Sequence, residues 1–451
     1  MSGRGYTLVL GLGVTGASCV RFLATRSGED IVAMDSRAQP PHAAEVQLDF
    51  PGVRCLLGGF DAPTIDGARR IVASPGIANL SELTATARAR GVEVLSDIDL
   101  FVAAAQAPVV GITGTNGKST VTTLVGELLA AAGRRVAVGG NLGTPALALL
   151  VDDVEIYVLE LSSFQLDVTT TLRCAAAAVL NVTPDHLDRY ADLAAYAASK
   201  RRIYTGAATV VCNRADVATR PDADNPAPVV TFGLDPPAAG HFGVRTDSGQ
   251  RMLCVGPTAI VASDALQVRG THNEENVLAA LALVRAMGVE PQSVLRQLRT
   301  FAGLPHRCQT VGSIRGIEFI NDSKATNEGA ALAALAGVGA STRGRIVLIA
   351  GGDGKGADFH DLAAALPGPV RLLVTIGRDG PRLSAAVGER VARREAGDLA
   401  TAVRVAFDAA QPGDCVLLAP ACASLDQFRN FEHRGDAFAA HVRALAQEVG
   451  A

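Results

Sequence analysis

The stretch 109–120, VVGITGTNGKST, constrains this chain more than any other. An apolar strand runs into a glycine turn, and Lys118, Ser119 and Thr120 then open a helix through Val121, Leu124, Val125 and Leu128. Such a turn aims unpaired backbone N–H groups and the positive end of a helix dipole at an anion, and the lysine adds a full charge. The pattern G-x-x-x-x-G-K-[ST] would need glycine where Ile112 stands. The loop is therefore a shorter version, Gly114, Thr115, Asn116, Gly117, Lys118, Ser119 and Thr120, and we read it as a nucleotide triphosphate site.

Ahead of it, a strand at 6–10 leads into Gly11-Leu12-Gly13-Val14-Thr15-Gly16, which fits G-x-G-x-x-G before a helix at 17–24. A second strand, 31–34, ends in Asp35, where a dinucleotide fold places its ribose-binding carboxylate. Alone this reads as a nicotinamide dehydrogenase; its chemistry is only a nucleotide diphosphate on a helix N-terminus. Residues 72–77, VASPGI, form either another ligand-facing turn or a plain Pro-Gly turn. The Ala-rich stretch 103–108 reads as a linker.

After the loop, strands expected at 136–138, 156–160, 175–180 and 209–212 alternate with helices, which implies a mainly parallel sheet covered on both faces. The polar, Pro-rich stretch 221–237 reads as loop, followed by a small antiparallel patch. Residues 270–276, GTHNEEN, are expected to cap a helix at 277–287. A third segment has strands at 318–320, 346–350, 372–376 and 415–418, each leading into a polar or Gly-rich turn. The expected boundaries are 1–105, 106–303 and 304–451.

Composition excludes several classes of function. With 48% hydrophobic and 19% charged residues the chain has ample core material, and a net charge of −4 with scattered basic residues gives no footprint for nucleic acid. No apolar run reaches the roughly 18 residues of a spanning helix, and the start moves directly into YTLVL without a signal-peptide pattern, so a cytoplasmic protein working on small molecules is expected, with no membrane partner. The 8 cysteines include no C-x-x-C pair, which points to reduced, mostly buried thiols.

Glu160 ends the apolar strand IYVLE, where a nucleotide-bound Mg2+ needs an oxygen ligand, with the Ser119 hydroxyl opposite. The loop NVTPDHLD places His186 beside Asp185 and Asp188. Lys200 lies in a helical AAYAASKRRIY, and its chemistry alone reads as a surface lysine. In the third segment His306-Arg307, Asn321 to Asn327 and the run 351–356, GGDGKG, mix cations with small donors, as a bound carboxylate or polyphosphate requires.

Taken together, GTNGKST, LELSSFQLD, NVTPDHLDRY, THNEEN, GLPHR, INDSKATN, GGDGKGADF and PACASLDQFRNF, in this order, resemble the Mur ligases of peptidoglycan synthesis. GLGVTG, SPGI and the last four blocks are most similar to the branch that adds D-glutamate to UDP-N-acetylmuramoyl-L-alanine. The resemblance implies an α/β, three-domain architecture: a Rossmann-like UDP-binding domain, a central P-loop-type ATPase domain, and a C-terminal Rossmann-like domain that closes over ATP and the amino acid. It implies UDP rather than NAD at the first turn, through Gly13, Val14, Thr15, Asp35, Ser36 and Arg37, with Ser74, Pro75 and Gly76 nearby. Asn141 and His186 match positions lining this substrate.

For ATP, the resemblance implies the phosphate loop with Asn273, Asn276, Arg307 and Asp322. It implies two Mg2+ sites, with Ser119 and Glu160 at the first, and His186 and a CO2-carbamylated Lys200 at the second. Lys118, Glu160, His186, Lys200 and Lys324 would be catalytic, and Thr326, Lys355, Ser424 and Phe431 would hold D-glutamate. A monomer is expected. Three readings compete: a folylpolyglutamate synthase, which shares the ATP loop but has no UDP-type first domain; an NAD-dependent oxidoreductase, which would leave the loop at Lys118 idle; and a nucleotide-regulated binding module, which would hydrolyse ATP, if at all, without needing an amino acid.

Overall fold

The computed structural model describes residues 5–26, 28–77, 80–186, 189–268 and 270–450. The chain forms two compact units, one of residues 1–182, 186–261 and 276–298, the other of residues 183–185, 262–275 and 299–451.

The first unit carries two parallel sheets. Strands β1 (Thr7–Leu10), β2 (Ile31–Asp35), β3 (Arg54–Leu57), β4 (Arg70–Ala73) and β5 (Glu93–Ser96) lie in the order β3-β2-β1-β4-β5. Strands β6 (Val109–Thr113), β7 (Val136–Gly140), β8 (Ile156–Glu160), β9 (Ala176–Val179), β10 (Val210–Asn213) and β11 (Val229–Phe232) follow in the order β11-β10-β9-β6-β8-β7. Their central strands β1, β6, β8 and β9 are buried at every residue, as continuous apolar runs must be when helices cover both faces. Strands β12 (Phe242–Asp247), β13 (Gln250–Val255) and β14 (Thr258–Ala262) make a small sheet whose first pair is antiparallel.

The second unit is built on β15 (Gln309–Ile314), β16 (Ile317–Asn321), β17 (Ile346–Gly351), β18 (Val370–Ile376), β19 (Ala392–Gly397) and β20 (Cys415–Leu418), ordered β15-β16-β20-β17-β18-β19. Only the edge pair β15 and β16 runs antiparallel. Apolar clusters fill both faces of this sheet, one around Leu348, Leu373 and Leu417 and the other around Val347, Ile349 and Val416.

Three expectations change. The stretch 221–237, read as loop, supplies β11, because the residues Val-Val-Thr-Phe suit a sheet edge beside β10. The helix expected from 277 spans Thr271–Ala286, so THNEEN lies inside it rather than before it. Gly270, at φ 91°, breaks the chain just ahead, and residues 277–284 are fully buried. The edge strands β15 and β19 were not expected, and the largely exposed ARREAG of β19 has no apolar alternation to reveal it. Among the described residues no single helix is long and apolar enough to cross a membrane. All 8 cysteines are free, and six are buried.

Candidate active site

In the first unit, β6 ends at Thr113 and the helix Lys118–Ala131 begins under a left-handed Gly117 at φ 80°. Only glycine fits there, since a Cβ would lie 2.3 Å from Asn276 Oδ1. Asn276 is thus packed against the 114–120 loop. Asn181, at the end of β9, fixes the loop's shape: its carbonyl accepts from Thr115 N at 2.9 Å, its Oδ1 accepts from Asn116 N at 2.8 Å, and its Nδ2 donates to Asn116 O at 3.1 Å. The sequence marks Asn181 only as part of the NVTPDHLD stretch, with no role of its own.

Lys118 folds back over the turn, and its Nζ donates to Gly114 O at 2.9 Å and Thr115 O at 2.8 Å. Lys200, expected at the surface, is 1% exposed: its Nζ donates to the same Gly114 carbonyl at 2.8 Å and lies 4.3 Å from the Tyr196 ring centroid. The helix Leu193–Arg201 turns this face inward, with Tyr196, Ala197, Ser199 and Lys200 all buried. Two ammonium groups therefore converge on one carbonyl of the loop.

Glu160, at the end of β8, is 3% exposed. Asn141 Nδ2 donates to its Oε1 at 2.7 Å, while its Oε2 is buried with no hydrogen-bond partner among the described residues. A buried carboxylate oxygen without a partner is costly unless a cation or donor completes it. Ser119, in the first turn of the helix, is 6% exposed. This donor set, a carboxylate oxygen and a hydroxyl beside a phosphate turn, suits Mg2+. His186, left-handed at φ 55°, sits 4.8 Å edge-on from Phe164 and 6.1 Å from Tyr196, with Phe164 stacked on Tyr190. Asp188 lies outside the described residues.

At the first turn, Gly16 permits the tight passage from strand to helix, since a Cβ there would fall 1.7 Å from Gly11 O. Asp35 is buried and already engaged: Oδ2 accepts from Leu12 N at 2.7 Å and Arg37 Nη2 at 2.7 Å, and Oδ1 accepts from Arg37 N and Nε, each at 2.9 Å. The Arg37 side chain holds its carboxyl down at about 2, with the Leu12 N–H adding to the effect. Ser74 lies against Gly11, its Oγ 3.2 Å from where a Cβ of that residue would stand. Gly13, Val14, Thr15 and Arg37 line the more open side, with Val14 57% exposed.

The second unit gathers most of the remaining candidates on the carboxyl ends of β16, β17 and β20. Asp322, just past β16, accepts from Cys308 N at 3.2 Å, and burial pushes its carboxyl up to about 6 while Arg307 pulls the other way. Lys324 places its ammonium 4.1 Å over Phe431, and its backbone N–H donates to His306 O. Arg434, 1% exposed, ties these loops together: Nε donates to Ser323 Oγ at 2.9 Å, Nη2 to Ser323 O at 2.8 Å, and Nη1 to Cys422 O at 3.1 Å. Burial lowers its guanidinium to about 10. It brings the 321–326 loop, with Lys324 and Thr326, to the turn bearing buried Ser424. Lys355 is exposed on the neighbouring loop. Asn273, 9% exposed, lies in the first turns of the helix Thr271–Ala286. Arg434 was missed, and only its place in an amphipathic helix with an arginine on the apolar face could have signalled it.

Three family models match in chain order: Mur ligase MurD-like N-terminal domain over residues 5–96, Mur ligase middle domain over 112–284, and Mur ligase glutamate ligase domain over 306–422. The chain is 50% identical over 441 residues to a UDP-N-acetylmuramoylalanine–D-glutamate ligase of Pseudomonas fluorescens, covering 98% of each. It is 48% identical to the enzyme of that name from Pseudomonas aeruginosa, again over 98% of each chain. Among solved structures, a pseudomurein peptide ligase type C from Methanothermus fervidus superposes with a TM-score of 0.63 at 18% identity, covering 98% of this chain and 100% of that one. MurF ligase from Thermotoga maritima in complex with ADP gives 0.62 at 16% identity, covering 98% and 96%. At those identities the likeness is one of fold.

Proposed function

The chain belongs to the Mur ligase family, and from that premise we propose that it joins D-glutamate to UDP-N-acetylmuramoyl-L-alanine with hydrolysis of ATP to ADP and phosphate. The observation that carries this assignment is identity of 50% along 98% of both chains to a D-glutamate ligase. The geometry supports the chemistry in each unit.

A carboxylate is a poor electrophile, and ATP converts it to a better one. An oxygen of the L-alanyl carboxylate attacks the γ-phosphorus, ADP leaves, and an acyl phosphate forms. The D-glutamate amine adds to the acyl carbon, loses a proton, and the tetrahedral intermediate expels phosphate to leave the amide. Every step brings anions together, so fixed cations and oriented N–H groups have to offset their repulsion. Lys118 and the amides of the 114–120 loop bind the β- and γ-phosphates, with Asn276 packed behind the turn. Asn273, Arg307 and Asp322 are assigned to the nucleotide by their match to the family pattern.

Ser119 and the unpaired oxygen of Glu160 would hold Mg2+, which supplies charge neutralisation at the phosphates when bound. Asn141 keeps Glu160 in place through Oε1. His186 and Lys200 are assigned to a second Mg2+, with Lys200 as its carbamate. An ammonium would repel the metal, whereas the carbamate is an anionic oxygen donor. Lys200→Ala should lose activity that short added carboxylates partly restore; full activity in the unrescued variant would remove the carbamate from the account.

The first turn, with Gly13, Val14, Thr15, Asp35, Ser36, Arg37 and 74–76, is assigned to the UDP moiety, Thr326, Lys355, Ser424 and Phe431 to D-glutamate, and Lys324 to the catalytic set. The domain limits 1–105, 106–303 and 304–451, a cytoplasmic location and a monomeric state are part of the same reading. Phosphate release from ATP tests it. Release should require UDP-N-acetylmuramoyl-L-alanine and rise with D-glutamate but not L-glutamate. Release indifferent to the glutamate enantiomer would contradict the assignment.

A further inference from the structure

Lys355 stands out among the D-glutamate candidates because its own side chain is exposed while the loop beneath it is tightly held. Its backbone is left-handed at φ 49°, and its N–H donates to Asp353 Oδ1 at 3.0 Å. A four-carbon ammonium stem in water has wide rotamer freedom, so where its charge resides depends on where the backbone launches it.

The launching point is fixed from the neighbouring strand. After β18, the turn at 377–379 leads into the helix Gly380–Val387. Asp379 holds the stretch just before Lys355 through its backbone and its side chain: its backbone N–H donates to Gly352 O at 2.9 Å, and its Oδ2 accepts from Gly354 N at 2.8 Å. Arg382 steadies the other carboxylate oxygen at 3.1 Å and reaches Ala357 O at 3.2 Å. Arg378 pairs with Asp353 at 2.5 Å, and its N–H donates to Asp426 Oδ2 at 2.8 Å. The fit leaves no slack. A Cβ on Gly354 would lie 2.7 Å from the Phe359 ring, and one on Gly377 would lie 2.6 Å from Gly352 Cα.

We propose that Asp379 is a positioning residue for Lys355, setting the affinity for D-glutamate without touching it; this rests on the assignment of Lys355 to D-glutamate. Asp379 is 8% exposed, and the Gly354 N–H, then the nearby arginines, hold its carboxyl below the usual range, so the clamp stays ionised at neutral pH. A second buried acid of the same sheet provides the contrast. Asp414 accepts from Arg345 N at 2.7 Å and Arg371 Nε at 2.6 Å, at the opposite, amino ends of β17 and β20, where no candidate residue lies.

Steady-state KM values for the three substrates test the proposal. Asp379→Ala strands the buried Gly354 N–H, and the KM for D-glutamate should rise about tenfold, with the KM values for ATP and the UDP substrate within about twofold of wild type. Asp379→Asn, which keeps an acceptor, should rise less. Asp414→Asn should lower the melting temperature and leave all three KM values in place. In a Lys355→Ala background, adding Asp379→Ala should change the D-glutamate KM by less than about twofold, because the two act through one contact. If Asp379→Ala does not fold, Arg382→Ala is read instead, with a smaller selective rise expected. A uniform rise of all three KM values, a fall in kcat alone, or an undiminished effect in the Lys355→Ala background would each overturn the proposal. A Lys355→Ala enzyme with an unchanged D-glutamate KM would instead remove the assignment of Lys355 itself.

Discussion

Two turns of the first unit follow one plan: at 11–16 and at 114–118 a buried parallel strand passes through glycines into a helix N-terminus, an arrangement suited to an anion. They differ in how nearby carboxylates are used. At the first turn Asp35 is consumed internally, with both oxygens on Leu12 N–H and on Arg37, so the acid shapes the turn and aims a cation. At the second, Glu160 keeps one oxygen without a hydrogen-bond partner among the described residues, and two lysines meet on Gly114 O. A glycine turn suits any anion, and on the proposed assignments the neighbouring strand ends separate a turn that only binds from one that also supports phosphoryl transfer.

Removing the charge of the second turn should have the largest effect. Lys118→Ala is expected to lower the rate of phosphate release about a thousandfold, while equilibrium binding of the UDP substrate stays within a few-fold. Loss of UDP-substrate binding in this variant would mean that the two turns are not functionally separate. Asp35→Ala makes the converse cut. It leaves Leu12 N–H without its acceptor and frees Arg37, so the KM for the UDP substrate should rise about tenfold with that for ATP unchanged. A change confined to ATP would reverse the roles assigned to the turns.

The smallest effect on activity belongs to Asp97, in the helix Asp97–Ala104 that follows the first sheet. Gln165, in the helix after Glu160, donates to its Oδ2 at 3.2 Å, and its Oδ1 is buried without a partner among the described residues. Burial raises its carboxyl to about 6 from 3.8. The fold therefore favours the protonated form: this contribution to stability is fully present below about pH 4 and is lost as pH rises through about 6. Asp97→Asn should remove that dependence and gain about 3 kcal/mol over wild type at pH 7, with kcat little changed. Urea unfolding of both proteins at pH 4 and pH 7 measures it; parallel curves would show that Asp97 is not buried as an acid. Asp35 has the opposite sign, stabilising above its ordinary range and losing that contribution as pH falls through about 2.

Both turns were legible in the sequence because strand, glycine and helix follow one another within a dozen residues. The parallel central strands were legible for the same local reason, as uninterrupted apolar runs. What escaped was set by distant partners. Arg434 grips Ser323 across 111 residues, and Asn181 shapes the 114–120 loop across 65. Lys200 reads as a surface lysine in its own helix and is buried only because β6 brings Gly114 O to it from 86 residues away. Edge strand β19, largely exposed and charged, has no packing pattern to betray it, and β11 was hidden by the prolines around it.

On the proposed assignments, ATP held at the second turn phosphorylates the carboxylate of the substrate held at the first. Labelling that L-alanyl carboxylate with oxygen-18 and analysing the phosphate released in the presence of ATP and D-glutamate tests it directly. An acyl phosphate cleaved at its carbon–oxygen bond sends one carboxylate oxygen into each phosphate, so the account predicts singly labelled phosphate in step with amide formation. Amide formed with unlabelled phosphate would contradict it.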